Sequence, residues 1–232
     1  YYEAGGENTW HYDKIEIYID VNVGELDDGL GAKSGETSGH YQFAPDFFEG
    51  YSTYISHSIT WFGCDLISAY KVDDPDYVYE YAFDISDLKD KYGSTLDPTA
   101  EPLVGFDVCI IDRDEGDAGR RFAVWKNTGE NGYSWDNMDD CGEVTFSNEE
   151  ISSTSTPFYK LQDGCAPVID GTKDAIWEFA ELHYINRHFQ YENPSLDKAT
   201  WQAVWNDTSI FIIVSVEDNN FSPSWISGDV DW

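Results

Sequence analysis

The sequence predicts an all-β fold, an antiparallel β-sandwich of the jelly-roll type with one or two short helical turns. Apolar and polar residues alternate over short stretches, and clusters of Gly, Asp, Asn and Pro separate these stretches. No long stretch carries a helical period. With 232 residues, of which 41% are hydrophobic and 16% aromatic, the chain is large enough to bury the core of one such sandwich.

The clearest strand is predicted at residues 13–20. Ile15, Ile17 and Ile19 fall on one face of that strand and polar or aromatic residues on the other, which is the period-two pattern of a half-buried strand. Similar patterns predict the strands 57–62, 66–72, 77–83, 103–111, 121–126, 143–146, 200–205 and 209–217. The core is expected to contain Trp61, Trp125, Trp177 and Trp205.

Two helical turns interrupt the predicted strands. One is expected at 86–92 with Ser86 as its N-cap, and the other at 174–180 with Asp174 as its N-cap. Neither turn is long enough to organise the fold.

The predicted organisation has two parts and a linker. Residues 147–164 are rich in Ser and Thr and lack alternation, so they are interpreted as a linker between parts 1–146 and 165–232. Residues 24–40, with five Gly among acids, are expected to form a long loop.

The charge of the chain restricts its partners. Asp and Glu number 45 and Lys and Arg 13, for a formal net charge of −32. Such a chain repels nucleic-acid phosphates and anionic membrane surfaces, so neither partner is expected. No apolar stretch of transmembrane length and no opening signal segment is present, so the ends are interpreted as processed or excised.

The cysteines and two sequons favour secretion. The cysteines lack the close pairs of zinc and redox motifs, and their even number is typical of two disulfides in any of three pairings. The disulfide candidates are Cys64, Cys109, Cys141 and Cys165, and the N-glycosylation candidates are Asn206 and Asn220.

A family resemblance emerges when the two parts are exchanged. The segment 168–177 contains Asp170-Gly-Thr-Lys-Asp-Ala-Ile-Trp177, with Asp, Gly, Asp and Trp in an ordered spacing. Read as 165–232 followed by 1–146, the sequence resembles a family 9 carbohydrate-binding module, a non-catalytic β-sandwich appended to xylanases and surface proteins. Further similar segments follow in the matching order at 203–218, 8–22, 105–114, 123–126, 133–137 and 142–146.

The resemblance implies a carbohydrate site. It places Trp10 and Trp135 where two aromatic rings hold a sugar, with Glu16 and Gln42 at polar binding positions, and Ala44 stands where a basic residue is expected. The alternative, that the Trp rings pack loop against loop, remains open.

The resemblance also implies structural calcium. Acids and amides follow several predicted strands, where their oxygens would converge on a hard cation. The metal-ligand candidates are Asp20, Asn22, Asp112, Asp114 and Asp218. Solvated turn acids are the alternative.

No enzyme activity is expected. Carboxylate pairs are abundant by chance in so acidic a chain, and the chain lacks a Gly-x-Ser-x-Gly motif, a His-x-x-x-His spacing and a phosphate-binding Gly loop.

The order of the two parts bears on assembly, since the last residues read directly into the first. The chain is a closed circular permutant, or it donates its second part to the next copy, or it is one period of a tandem array. We favour an extracellular, non-catalytic unit that links head-to-tail with identical copies into a filament or surface array, with polysaccharide as a candidate second partner. The decisive strand pair would join 13–20 to 209–217. The alternative is a carbohydrate-binding module of a secreted polysaccharide-degrading enzyme.

Overall fold

A computed structural model describes residues 13–22, 39–45, 53–59, 65–73, 75–100, 103–113, 121–130, 132–135, 138–147, 156–188, 196–219 and 221. Within these residues the chain is an all-β sandwich with no α-helix, as predicted. The strands are β1 (Lys14–Asp20), β2 (His40–Phe43), β3 (Thr53–Ile59), β4 (Asp65–Asp73), β5 (Asp76–Asp84), β6 (Leu103–Asp112), β7 (Arg121–Val124), β8 (Gly142–Ser147), β9 (Thr156–Lys160), β10 (His183–Tyr184), β11 (Arg187–His188), β12 (Lys198–Trp205) and β13 (Ser209–Glu217).

The strands form one curled sheet whose two halves face each other. The hydrogen-bonded order is β11-β7-β6-β8-β9-β12-β13-β5-β4-β3, with β1 on β6, β2 on β1 and β10 on β12. We name β1, β2, β6, β7, β8 and β11 the first half, and β3, β4, β5, β10, β12 and β13 the second half. Alternate residues of both halves share one main core, so the curl brings the two apolar faces together.

The alternation predicted for 13–20 is confirmed by β1. Ile15, Ile17 and Ile19 are fully buried in the main core, and Tyr18 points into a second, smaller cluster on the opposite face. Both faces of β1 are therefore covered.

The predicted pairing of 13–20 with 209–217 is wrong. β1 pairs antiparallel with β2 and β6, and β13 pairs antiparallel with β12 and β5. The two strands belong to opposite halves of the sheet, and their apolar residues share the main core. Alternation identified the buried face of each strand but not its neighbour in the ladder.

The segment predicted as a linker contains a strand. β9 pairs in parallel with β8 on one side and with β12 on the other, so it joins the two halves of the sheet. Phe158 of β9 is fully buried between Phe106, Phe146 and Trp201, with ring-centroid distances of 5.4, 5.6 and 6.1 Å. Because β9 has five residues including Pro157, it carries too little alternation to be read from the sequence.

The motif that begins at Asp170 fixes the second part of the chain to β5. The buried Glu80 carboxylate accepts hydrogen bonds from the backbone N–H groups of Asp170 and Gly171, at 3.1 and 2.9 Å, and from Trp177 Nε1 at 3.1 Å. Gly171 has φ +80°, and a Cβ there would lie 2.5 Å from the Tyr70 carbonyl carbon. The Gly is therefore required for the close approach of this turn to β4.

Both predicted helical turns are short 3-10 turns. The first spans Ile85–Asp87 and is capped by Asp84, which accepts a 2.8 Å hydrogen bond from the Ser86 N–H, so Ser86 is not the N-cap. The second spans Ala175–Glu178 with Asp174 at its N-cap position. The Asp174 carboxylate instead accepts from the Val168 N–H at 2.7 Å.

The indole rings predicted for the core are buried where the structure describes them, at Trp125, Trp177 and Trp205. Trp61 lies outside the described residues. Among the residues that the structure describes, no helix is long and apolar enough to cross a membrane.

Candidate functional site

The candidate site lies on the face of the first half that points away from the main core, which we call the outer face. There β1 presents Glu16 and Tyr18, β2 presents Gln42, and β6 presents Asp107 and Cys109. The register places these residues together because Tyr18 is opposite both Gln42 and Asp107.

A polar network joins the predicted sugar-binding residues Glu16 and Gln42. The Tyr18 hydroxyl donates to one Glu16 carboxylate oxygen, and Gln42 Nε2 lies 3.3 Å from the other oxygen and 3.3 Å from the Tyr18 hydroxyl oxygen. Burial and the Glu16 charge raise the pKa of Tyr18 well above its ordinary value. Glu16 is only 5% exposed and Gln42 is half-buried, so Gln42 is the member of this network that reaches the surface.

Aromatic rings extend the outer face beside this network. Trp135, half-buried, stacks on Tyr133 with ring centroids 4.5 Å apart and an interplanar angle of 25°, and it lies 6.0 Å from the ring of Phe122. These rings pack against the same apolar cluster as Tyr18. Trp135 is thereby brought to the face that holds Gln42, whereas Trp10 lies outside the described residues.

Asp107 anchors the loop that carries these rings. Its fully buried carboxylate accepts hydrogen bonds from the Val108, Lys126 and Asn127 N–H groups at 2.9, 3.1 and 2.9 Å, and from the Ser134 hydroxyl at 2.9 Å. Ser134 lies between Tyr133 and Trp135, so Asp107 positions the aromatic pair over β6. Asp107 was not predicted as a site residue, although an acid on a strand with apolar residues on both sides indicates a buried hydrogen-bonding role.

The buried Asp107 carboxyl is expected to make the free energy of unfolding depend on pH. Burial raises the pKa of its carboxyl from 3.8 to about 6, against the opposing effect of its hydrogen bonds. A carboxyl whose folded pKa is raised stabilises the fold fully below its unfolded pKa and loses that contribution as the pH rises through about 6. The free energy of unfolding of the wild type relative to Asp107→Asn is therefore expected to fall by up to ~3 kcal/mol from pH 4 to 7.5.

Urea unfolding of both proteins across this pH range measures the difference. Asp97→Asn is the control, because hydrogen bonds from Thr99 and Ala100 lower the pKa of Asp97. Its contribution is present above the unfolded pKa and is lost only as the pH falls below that value, so the wild-type minus Asp97→Asn difference should stay nearly flat from pH 4 to 7.5. A wild-type minus Asp107→Asn difference that is flat from pH 4 to 7.5 would contradict the assignment.

Three buried carboxylates meet at one end of the main core. Asp13, which precedes β1, Asp112 at the end of β6 and Asp218, which follows β13, each offer an oxygen, and these oxygens all lie within 4.8 Å of one another. We call them the acid cluster. The pKa of the buried Tyr77 is raised well above its ordinary value by burial and then by the charges of these three residues, so its phenol lies beside the cluster.

The predicted metal ligands divide between two places. Asp112 and Asp218 belong to the acid cluster, which also contains Asp13, a residue the sequence analysis did not include. Asp20 and Asn22 lie at the other end of β1, where Asp20, the last residue of the strand, accepts a 2.9 Å hydrogen bond from the Asn22 N–H. Asp114 lies outside the described residues. The convergence of the cluster depends on the pairing of β1 with β6 and on the packing of β13, which the spacing of acids does not reveal.

The remaining candidate residues are the cysteines and the two glycosylation asparagines. Cys109, Cys141 and Cys165 are thiols in the structure, and burial raises the pKa of Cys141 well above its ordinary value. The Asn206 side-chain oxygen accepts hydrogen bonds from the Thr208 and Ser209 N–H groups, at 2.9 and 2.8 Å, in the β12–β13 turn. The other two candidates, Cys64 and Asn220, lie outside the described residues. Disulfide pairing and glycosylation stay predictions.

A family model described as "Carbohydrate family 9 binding domain-like" matches residues 2–149 and 169–225. These two segments leave out only the region around β9 and the two ends. No curated protein and no solved structure matches the chain significantly.

Proposed function

Since the chain belongs to the carbohydrate family 9 binding domain-like family, we propose that it is a non-catalytic binding module that takes a saccharide on its outer face. The supporting observation is that one face holds both the aromatic pair Tyr133–Trp135 and the network of Glu16, Tyr18 and Gln42. A flat ring beside a directed polar group is the pairing that a pyranose requires, because its ring presents C–H groups on its faces and hydroxyls at its edge.

The burial of the residues assigns them different roles. Trp135 and Gln42 retain exposed surface and would contact the sugar, Trp135 through its ring and Gln42 through its amide. Glu16 accepts from the Gln42 amide and from Tyr18, so it orients Gln42 from beneath. This preorganisation limits the entropy lost when a hydroxyl binds.

Replacement of the exposed ring tests the proposal. Trp135→Ala is expected to weaken the binding of a neutral polysaccharide by about 2 kcal/mol, or roughly thirtyfold in Kd, because the central aromatic contact of a site carries much of its affinity. Affinity electrophoresis in gels cast with a panel of neutral polysaccharides measures the change as lost retardation.

Phe179→Ala is the matched control, since Phe179 is 80% exposed and directly follows the second 3-10 turn, away from the outer face. Its retardation should equal that of the wild type. Retardation by a polysaccharide that Trp135→Ala and Gln42→Ala both leave unchanged would contradict a site on the outer face.

We also propose that the acid cluster holds a structural calcium ion. Three carboxylates supply hard oxygen ligands, which Ca²⁺ prefers, and without a cation their charges would repel one another inside the protein. The residues fit the ion, and Asp13, Asp112 and Asp218 would hold it between the two halves of the sheet. Calcium would there supply structural crosslinking and no chemistry.

The head-to-tail assembly into a filament remains a proposal from the sequence. In the structure β13 has a hydrogen-bonded neighbour on each side, so strand donation to another copy would require the second part to leave its own β5. Sedimentation velocity of the native protein distinguishes a linked assembly from single units. Secretion or display at a cell surface is likewise a proposal from the sequence, and a polysaccharide ligand agrees with it.

A further inference from the structure

A second concave site lies away from the outer face, where the segment 183–188 crosses between the two halves of the sheet. β10 pairs with β12 and β11 pairs with β7, so this segment spans the gap between β7 and β12. A cleft of about 520 Å³ opens there, a volume in the range of small-molecule sites. The buried Ile185 donates its N–H to the Ala199 carbonyl at 2.9 Å and fixes the floor of the cleft.

The charge of this cleft differs from that of the chain. Acids outnumber Lys and Arg 45 to 13 overall, yet the cleft is lined by two fixed cations, Arg187 and Lys198, and one acid, Asp197. Asn186 and the exposed His188 also line it. Hydrogen-bond donors are therefore in excess, and such a set favours a ligand rich in acceptors.

Arg187 has donors available for a ligand. Its Nη1 donates to the Lys126 carbonyl at 3.3 Å, which holds the guanidinium at the wall of the cleft and leaves most of its N–H groups for other acceptors. Lys198 pairs with Glu217 at 2.7 Å, and both side chains stay half exposed. Arg187 is thus the better anchor, since a guanidinium binds a carboxylate through two parallel hydrogen bonds.

An aromatic platform lies beside these cations. Tyr184 lines the same cleft and is 53% exposed, although its backbone is fixed by pairing with Thr200 of β12. An exposed ring on a fixed strand offers a flat apolar surface at low entropic cost.

We propose that this cleft is a second saccharide site, specific for a sugar that carries a carboxylate, such as a uronic acid. Arg187 binds the carboxylate and the ring of Tyr184 covers one face of the pyranose, while Lys198 stays paired with Glu217 at the rim of the cleft. The identification of the ligand as a saccharide rests on the proposed function. The donors and the exposed ring of the cleft are observed independently of that function.

The test is affinity electrophoresis in gels cast with polygalacturonate or, in parallel, with a neutral galactan. The wild type is expected to be retarded by polygalacturonate, and Arg187→Gln and Tyr184→Ala are each expected to weaken that interaction at least tenfold. The matched controls are Lys71→Gln, which removes an exposed cation on β4, and Tyr92→Ala, which removes a ring that is 77% exposed. Both should bind as the wild type does.

Each outcome decides the proposal. No retardation of the wild type by polygalacturonate, or an equal loss in Lys71→Gln and Arg187→Gln, would overturn it, the latter because it indicates non-specific charge attraction. A loss of polygalacturonate binding in Trp135→Ala would also overturn it, since the ligand would then occupy the outer face. Retained polygalacturonate binding in Trp135→Ala with lost neutral binding supports two separate sites. If Trp135→Ala leaves all binding unchanged while Arg187→Gln abolishes it, the outer-face proposal fails and the cleft stands.

Discussion

Removal of the proposed calcium ion from the acid cluster is expected to lower the Tm of the protein by roughly 5 to 10 °C. A ligand at a hundred times its Kd stabilises the folded state by about 2.7 kcal/mol, and in a domain of this size 1 kcal/mol shifts the Tm by about 2 to 4 °C. The acid cluster joins the start of β1, the end of β6 and the end of β13, so the ion would link the two halves of the sheet. Thermal unfolding in calcium and in excess chelator measures the shift.

Asp218→Asn makes the test sharper because the sign of its effect should depend on calcium. With calcium the variant should be less stable than the wild type, since it loses a ligand. In chelator it should be at least as stable, because one of three mutually repelling buried charges is gone. Asp163→Asn, which changes an exposed acid in a turn, is the control. Its Tm should change between calcium and chelator as much as the wild-type Tm does. Equal Tm values of the wild type in calcium and in chelator would refute the proposed ion.

Trp201→Ala is expected to destabilise the protein by about 3 to 5 kcal/mol, the usual cost of removing a large buried aromatic side chain. Trp201 is 1% exposed and lies at the centre of an aromatic cluster, 4.8 Å from Phe106, 4.8 Å from Trp125 and 4.3 Å from His183 between ring centroids. The cluster joins β6 to β12 and so connects the two halves of the sheet. Urea unfolding at neutral pH measures the loss as a lower midpoint.

Trp201→Phe should recover part of this stability, because a smaller ring fills part of the cavity. Burial and the nearby Lys126 charge lower the pKa of His183, which stacks on Trp201, to about 4. In Trp201→Ala the His183 pKa is expected to rise toward its ordinary value, as NMR titration of the imidazole would show. A loss no larger than that of Phe179→Ala would contradict the central role of Trp201.

The strands of the fold were predicted most successfully where one face is apolar. Ile15, Ile17 and Ile19 identified β1, and the strand 209–217 was predicted at the observed bounds of β13. The predicted strand 57–62 overlaps β3, which runs Thr53–Ile59 in the structure. Strand partners depend on the path of the whole chain, which local alternation does not encode, so the pairing of β1 with β13 was wrong and β9 was missed.

The family resemblance named the surface residues of the candidate site and the buried Glu16, but not the other residues that support them. Gln42 and Trp135 follow from the family resemblance, and the structure places both on the outer face. Asp107, Asp13 and Arg187 were missed, because each acts through neighbours from distant parts of the chain. The roles of Asp13 and Arg187 arise from convergence in three dimensions, whereas Asp107 carried a local signal, an acid between apolar residues on a strand.

The pairing of β5 with β13 has a consequence for how the chain folds. Asp84 of β5 pairs with Ser209 of β13, 125 residues later in the chain. During synthesis one edge of β5 therefore lacks its native neighbour until β13 has been made. Such long-range ladders close slowly, and an aromatic strand with an open edge is prone to aggregation in the meantime. The late closure of the ladder between β5 and β13 is therefore expected to limit the folding rate of the sandwich.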